Sequence, residues 1–203
     1  MAPPAPAVVS ASQNEGMSGS LRGRLIVATP DLADPNFSRA VVLILEHSAE
    51  GAVGVVLNRP SETPLADGMP GWALLAAAPV RVFVGGPVEP DAAIGLGRVP
   101  SSRAGYPGAR PEPLFGEVCS IDLGSDPVLS VPDVEVMRVF AGYAGWGAGQ
   151  LDDEVAGDGW FVVDRDDGDV FTGAPEMLWR SVLRRQPGPL RLLSTYPDDP
   201  SLN

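Results

Sequence analysis

Three short apolar runs follow one another near the start of the chain, at residues 21–28, 40–47 and 52–58. All three are rich in Val, Ile and Leu and too short for a core helix, so each predicts a β-strand. Residues 48–51 have the length of a hairpin loop and include a glycine. Residues 29–36 contain Thr-Pro and Asp-Pro steps, which favour a turn over a helix. The pattern therefore predicts a strand, a long turn and a tight hairpin.

The register of this hairpin determines which polar side chains can share a site. If Ser48 pairs near Val53, then Arg39 lies near Arg59 at the open end of the hairpin. At about 3.3 Å per residue, His47 lies roughly 26 Å away from Arg39 along the strand. The two guanidinium groups and the chain's one histidine should therefore lie at opposite ends.

The remainder of the chain alternates between short apolar segments and turn formers. Strands are predicted at residues 80–84, 92–99, 118–123, 137–143, 160–163, 169–171 and 190–195, and helices at 72–78, 150–156 and 175–185. Residues 164–168 predict a hairpin turn, and the glycines from residue 142 onward predict that the chain turns there. Residues 100–117, rich in Pro and Gly, fit a surface loop or a mobile flap.

The composition is that of one globular domain. With 203 residues, 44% of them hydrophobic and 20% charged, the chain can bury a substantial core. Residues 1–18 predict a flexible tail, which leaves a domain at 19–196 and a short tail at 197–203.

No run approaches the ~18 apolar residues of a membrane span, and the N-terminus lacks the features of a secretory signal. A single cysteine suits a reducing compartment, so the expected localisation is cytoplasmic.

Missing residue types exclude several chemistries. The 14 positive charges are all arginine, which removes the P-loop lysine and Schiff-base or pyridoxal-phosphate chemistry. One histidine and one cysteine leave no multi-Cys/His zinc site, and the acidic run 164–169 departs from a calcium loop at Gly168, so no metal or cofactor is expected. A formal net charge of −12 disfavours direct nucleic-acid binding, because a net anion repels phosphates.

A long ordered set of motifs carries a family resemblance over nearly all of residues 19–196. The motifs are Gly19-Ser20-Leu21, Ala28-Thr29-Pro30, Asp34-Pro35-Asn36-Phe37-Ser38-Arg39, Glu46-His47, Gly51-Ala52-Val53-Gly54, Asn58-Arg59-Pro60, Gly85-Gly86-Pro87-Val88, Gly142-Tyr143-Ala144-Gly145-Trp146-Gly147 and Gly149-Gln150-Leu151. On these residues the chain resembles the AlgH/YqgE family of bacterial proteins, which is largely uncharacterised. The resemblance implies an α+β single domain of coiled, bifurcated, mostly antiparallel β-sheets with a few short helices. It implies little chemistry beyond a name linked to transcriptional regulation.

The first candidate site lies at the open end of the hairpin. If the first strand lies antiparallel beside the second, this site gathers Thr29, Asp34, Arg39, Asn58 and Arg59. The two guanidinium groups could hold a carboxylate or a phosphate. Arg39 could equally pair with Asp34 and brace the long turn, which is the interpretation that we favour.

Two glycines at a strand end add a second possible ligand position. Gly85 and Gly86 allow a close approach of the backbone and could form an anion cradle. Without a following phosphate-binding motif, a tight turn is the favoured interpretation.

The histidine and the cysteine complete the candidates. His47 could act as a base if it lies in a pocket beside Ser48 or Glu50, although a packed histidine is more common at a strand end. Cys119, within an apolar strand, is predicted to be a small buried residue rather than a nucleophile. The acidic residues 152–154 are predicted to complement the dipole of the helix at 150–156.

Three functions follow from these patterns. The missing catalytic groups and the family resemblance favour a non-enzymatic cytoplasmic protein that binds a partner protein or a small molecule. No association with a membrane is expected. A hydrolase- or transferase-type enzyme that uses His47 is the alternative. A direct DNA-binding regulator is the third, but its one arginine-bearing helix, 175–185, is expected to be docked by Trp179.

Overall fold

The structure is a computed structural model that describes residues 19–32, 34–100, 111, 113–127, 133–166 and 168–197. The predicted N-terminal tail, most of the segment 100–117 and the last six residues lie outside this part of the chain.

Ten β-strands in the described residues form a curled, mostly antiparallel sheet. They are β1 (Leu25–Ala28), β2 (Val41–Ser48), β3 (Gly51–Val56), β4 (Pro60–Pro64), β5 (Arg81–Val84), β6 (Val88–Arg98), β7 (Pro113–Phe115), β8 (Val118–Ile121), β9 (Val136–Gly147) and β10 (Trp160–Val163). The main order is β10-β1-β2-β3-β9-β6-β8-β7, while β4 pairs with β5 and β5 pairs in parallel with β9.

The helices of the described residues are short. They are α1 (Leu65–Gly68), α2 (Pro70–Ala73), α3 (Gln150–Ala156), α4 (Leu178–Arg184), which follows the 3-10 turn Pro175–Met177, and α5 (Leu190–Leu193). The chain is therefore a single α+β domain, as the family resemblance implied. None of these helices has the length and apolar character needed to cross a membrane.

The hairpin of β2 and β3 forms where the apolar runs predicted it. Ser48 pairs with Gly51 rather than lying near Val53, and a bulge between Ile44 and Glu46 shifts the register. β1 lies antiparallel beside β2, so the open end of the hairpin adjoins the long turn between β1 and β2.

The sheet divides at β9, and here the predicted turn is wrong. The N-terminal half of β9 pairs with β5 and β6, and its C-terminal half pairs with β3. The strand continues through Gly142, where φ is +67° and a Cβ atom would lie 2.6 Å from the carbonyl oxygen of Gly86. This glycine therefore admits a neighbouring backbone instead of ending the strand.

Other predicted elements also need correction. Residues 169–171 form a turn, and β10 pairs with β1 instead of closing a hairpin with them. Residues 190–193 form α5 rather than a strand, because a short apolar run does not distinguish the two. The helix predicted at 72–78 is replaced by α1 and α2, which begin earlier. β4 was missed because its residues are polar and include two prolines.

Both faces of the β1–β2–β3 region are buried. On one face, Leu25 and Leu43 share a core cluster with Trp179 of α4; on the other, Ile26 and Val42 share a cluster with residues of α3 and β10. The apolar stripe predicted for α4 is buried as expected. The indole of Trp179 also donates to the carbonyl oxygen of Ala28 at 2.8 Å, so this face of α4 is docked on the sheet.

Cys119 lies in β8 and is fully buried. Burial raises the pKa of its thiol to about 11. The thiol is therefore protonated and unreactive at neutral pH, as predicted from its apolar surroundings.

The buried thiol predicts a fall in stability between pH 9 and pH 11. In this window the unfolded chain has lost the thiol proton and the native chain has kept it, so stability decreases as pH rises. The complete shift corresponds to about 3 kcal/mol. In urea unfolding across these pH values, we expect Cys119→Ala to lack this part of the slope. Identical slopes in the two proteins would contradict the assignment.

Candidate ligand-binding cleft

An open cleft of about 370 Å³ lies where the turn between β1 and β2 meets α3 and the end of β9. Its walls include Leu32, Asp34 and Phe37 from the turn, Trp146 from β9, Glu154 from α3 and Trp160 from β10. The volume lies within the usual range for small-molecule sites, which is about 300–1,000 Å³.

Three aromatic rings form one wall of the cleft. The ring of Phe37 lies 6.2 Å from that of Trp146 and 5.5 Å from that of Trp160, and the two indoles are 6.2 Å apart. Trp146 is 7% exposed and Trp160 is 2% exposed. Because the rings pack edge to face and in stacked contact, this wall is held in one arrangement.

The carboxylate of Glu154 joins the two indoles. Its Oε2 accepts the indole N–H of Trp146 at 2.9 Å and that of Trp160 at 3.0 Å. Its Oε1 accepts the side-chain amide of Gln150 at 2.9 Å. A carboxylate has about four acceptor positions, so one remains, on Oε1.

The sequence contained a signal for this hydrogen-bond network. Assigning the acidic residues 152–154 to the helix dipole did not take that signal into account. Gln150 and Glu154 are four residues apart on a helix, a spacing at which side chains hydrogen-bond. Tryptophans stand on both sides of that pair in the sequence, at the end of one strand and the start of the next. The two indoles meet only because β9, α3 and β10 fold around one cluster.

Among the predicted site residues, Asp34 is the one that lines the cleft. Its Oδ1 accepts the backbone N–H of Asn36 at 2.8 Å, and its carbonyl oxygen accepts the N–H of Phe37 at 3.0 Å. This local turn, typical of Asp before a change of chain direction, positions the aromatic ring of Phe37 against the indoles.

The structure brings Arg39, Asn58 and Arg59 together, away from the cleft. Asn58 accepts the N–H of Val41 at 3.0 Å and donates to the carbonyl oxygen of Arg39 at 2.9 Å. Arg59 donates to the carbonyl oxygen of Ser38, and burial lowers the pKa of its guanidinium. These bonds clamp the turn to the end of the hairpin.

The guanidinium of Arg39 points to the C-terminal segment. It lies 4.7 Å from the ring of Trp179 and donates to the carbonyl oxygen of Pro197. Its backbone φ is +54°, which is uncommon for a residue with a side chain. Arg39 therefore ties the long turn to α4 and to the end of the described chain.

Gly85 and Gly86 lie against β9. The N–H of Gly85 donates to Ala141 at 2.7 Å, and its carbonyl oxygen accepts the N–H of Val56 at 2.8 Å. A Cβ atom on Gly86 would lie 2.2 Å from the carbonyl oxygen of Tyr143. This arrangement matches the close backbone approach that two glycines allow.

His47 connects three parts of the chain outside the cleft. Its Nδ1 accepts the N–H of Leu21 at 3.0 Å, and its Nε2 lies 3.4 Å from Oδ2 of Asp152 on α3. The side chain is 8% exposed. Ser48, on the opposite face of the strand, accepts the N–H of Glu50 at 3.2 Å. The arrangement therefore uses both imidazole nitrogens in packing contacts.

Replacing His47 tests this assignment. The side-chain oxygen of Asn can take the place of Nδ1 as the acceptor for the N–H of Leu21, whereas Ala cannot. We expect His47→Ala to lower the free energy of unfolding by about 1–3 kcal/mol, the cost of leaving a buried donor unpaired, and His47→Asn to cost less than half as much. Urea unfolding measures both, and equal losses would refute the role given to Nδ1.

No three side chains of His, Cys, Asp or Glu in the described ranges converge in a way that could hold a metal ion.

Comparisons of the sequence place the chain among relatives of similar length. A family model described as AlgH-like matches residues 25–191. A UPF0301 protein of Streptomyces coelicolor is 52% identical over 189 residues, which cover 91% of this chain and 96% of the relative. A UPF0301 protein of Mycobacterium tuberculosis is 46% identical over 183 residues, which cover 89% of this chain and 90% of the relative.

Solved structures show the same fold. The crystal structure of a Corynebacterium diphtheriae protein is 32% identical, with a TM-score of 0.82, and covers 93% of this chain and 100% of that chain. The solution structure of the AlgH protein from Pseudomonas aeruginosa is 27% identical, with a TM-score of 0.63, and covers 98% of this chain and 100% of that chain. The match to the family model and the identity to these relatives show that the chain belongs to the AlgH-like family.

Proposed function

We propose that this protein is a non-enzymatic binding protein of the cytoplasm, which takes a small molecule or one side chain of a partner protein in the cleft beside α3. The observation that carries the proposal is a preformed cleft of about 370 Å³ with an aromatic wall held by one carboxylate. Ligand sites are typically concave, with apolar walls and a few fixed polar groups.

The side chains of the cleft favour binding over catalysis. Among the described residues that line it, none is Ser, Thr, Cys, His or Tyr, so the cleft offers no hydroxyl, thiol or imidazole as a nucleophile or base. Glu154 already accepts three N–H bonds within the protein. The alternative based on His47 loses support because the imidazole contacts Leu21 and Asp152 and His47 does not line this cleft.

A regulatory role would act through the bound partner rather than through DNA. The net charge of −12 disfavours a duplex, and Trp179 docks the arginine-bearing helix α4 onto the sheet. The guanidinium of Arg185, next to α4, pairs with the buried carboxylate of Asp169 at 2.7 Å. These contacts support a regulatory role in which α4 packs on the sheet rather than reads base edges.

A fragment screen by NMR tests the proposal. Neutral, anionic and cationic fragments are added to the nitrogen-15-labelled full chain, and the indole N–H signals of Trp146 and Trp160 are followed. We expect at least one class to move both signals and to remain chemically unchanged. Leu32→Trp, which adds bulk at the cleft wall, should weaken this response, whereas Leu192→Trp adds the same indole at a site that is 72% exposed and should not.

Two results would overturn the proposal. Fragments of all three classes that leave both indole signals unmoved would show that the cleft binds no small group. Conversion of a fragment to a product would show that the protein is an enzyme.

A further inference from the structure

We infer that the cleft selects a cation, namely a guanidinium or ammonium group on a short aliphatic chain. The inference rests on the proposed function, because it names the chemical class of ligand for the same cleft. It follows from which polar groups of the cleft are already used and which remain.

The two indole donors of the cleft and one of the two amide N–H groups of Gln150 are used within the protein. The indole N–H groups of Trp146 and Trp160 and the amide of Gln150 all donate to Glu154, at 2.9–3.0 Å. Backbone donors at the rim are also paired: Gly157 donates to Asp153 at 2.8 Å, and Gly159 donates to Glu154 at 3.0 Å. No arginine of the described residues lines the cleft. An anion, or a ligand with acceptors only, would therefore lose its hydration and find the second N–H of Gln150 as its one side-chain partner among the described lining residues.

The two carboxylates of the cleft keep acceptor positions. Glu154 keeps one position on Oε1, and Asp34 uses Oδ1 for Asn36, which leaves Oδ2. Both residues line the same cleft. A ligand that brings several N–H donors can satisfy two carboxylates at once, and a guanidinium does so with a planar fork.

The walls and the overall charge suit the same ligand. Aromatic rings attract cations placed near their faces, and Phe37 is the least buried of the three rings. An aliphatic stem can pack on Leu32 and Phe37 while the charged group reaches the carboxylates. A net charge of −12 also raises the local concentration of cations around the protein.

A matched pair of probes tests the inference. N-butylguanidinium and N-butylurea have nearly the same shape, but only the first is charged. We expect the cation to bind about tenfold more tightly, measured from the indole signals of Trp146 and Trp160. Glu154→Gln keeps an oxygen for the two indoles but removes the charge, so it should remove most of this preference. Asp34→Asn provides a second variant with the same expected direction, at a residue that is exposed.

The capped peptide Gly-Arg-Gly distinguishes the source of the cation. Tighter binding of the peptide than of N-butylguanidinium would indicate an arginine side chain of a partner protein, and weaker binding would indicate a free small molecule. Both outcomes support a cation.

The inference is wrong if N-butylurea or the anion pentanoate binds in the cleft as tightly as N-butylguanidinium, or if the preference survives in both variants. In those cases the cleft still binds a ligand and the proposed function stands. If no probe of any charge moves the indole signals, the proposed function fails as well.

Discussion

Replacing Arg138 by alanine is expected to lower the free energy of unfolding by about 4 kcal/mol, because one buried and two partly buried hydrogen bonds to carbonyl groups are lost. Arg138 lies in β9 and is 2% exposed. Its guanidinium donates to the carbonyl oxygens of Val170 at 3.0 Å, Ala78 at 2.8 Å and Thr172 at 2.8 Å. The group also lies 4.1 Å from the ring of Phe83. One side chain thus holds two separate loops against the sheet.

The buried charge of Arg138 offsets part of the stability that these hydrogen bonds provide. Burial lowers the pKa of its guanidinium to about 10, since the charged form is poorly solvated in the core. Arg138→Met separates the two effects, because Met keeps an apolar stem beside Phe83 but brings neither charge nor donors. We expect it to lose about 2–3 kcal/mol. Chemical denaturation measures both variants, and an Arg138→Met protein more stable than the wild type would show that the buried charge outweighs the three hydrogen bonds.

Replacing Glu154 by leucine is expected to cost about 3–4 kcal/mol, the second-largest effect. The change leaves the two indole N–H groups and the amide of Gln150 without an acceptor, and an unpaired buried donor costs about 1–3 kcal/mol. Trp146 and Trp160 are nearly buried, so water replaces the carboxylate poorly. The loss should appear in urea unfolding together with a shift of both indole N–H signals.

Glu154→Gln is the matched control for this prediction. Its side-chain oxygen can still accept the two indole N–H groups, so we expect a loss of about 1 kcal/mol or less. If Glu154→Leu and Glu154→Gln lower the free energy of unfolding equally, the hydrogen bonds to Trp146 and Trp160 do not stabilise the cleft.

The strands with the strongest local pattern were predictable from the sequence. The β-branched runs of β1, β2 and β3 predicted both the strands and the hairpin, because such runs fit the pleated surface of a buried sheet. The stripe of α4 was predicted by its spacing of apolar residues. By contrast, the strand predicted for β9 ended too early. Glycine favours a turn locally, whereas at Gly142 it admits the backbone of a distant strand.

The cleft could not be predicted in the same way. Its walls come from the turn after β1, from β9, from α3 and from β10, and their meeting depends on β10 crossing the sheet to pair with β1. Asp34 was selected from the sequence as a partner of arginines, and the structure places it beside Phe37 and Glu154 instead. Glu154 was missed because acidic residues near a helix start have an adequate local explanation in the helix dipole.

The position of a bound ligand tests the central claim most directly. A crystal structure of the full chain with a fragment that moves both indole signals should show that fragment between Phe37 and Glu154, with a polar atom within hydrogen-bond distance of Oε1. A fragment bound instead at the turn clamped by Asn58 and Arg59, or beside His47, would contradict the assignment of the cleft as the ligand-binding site.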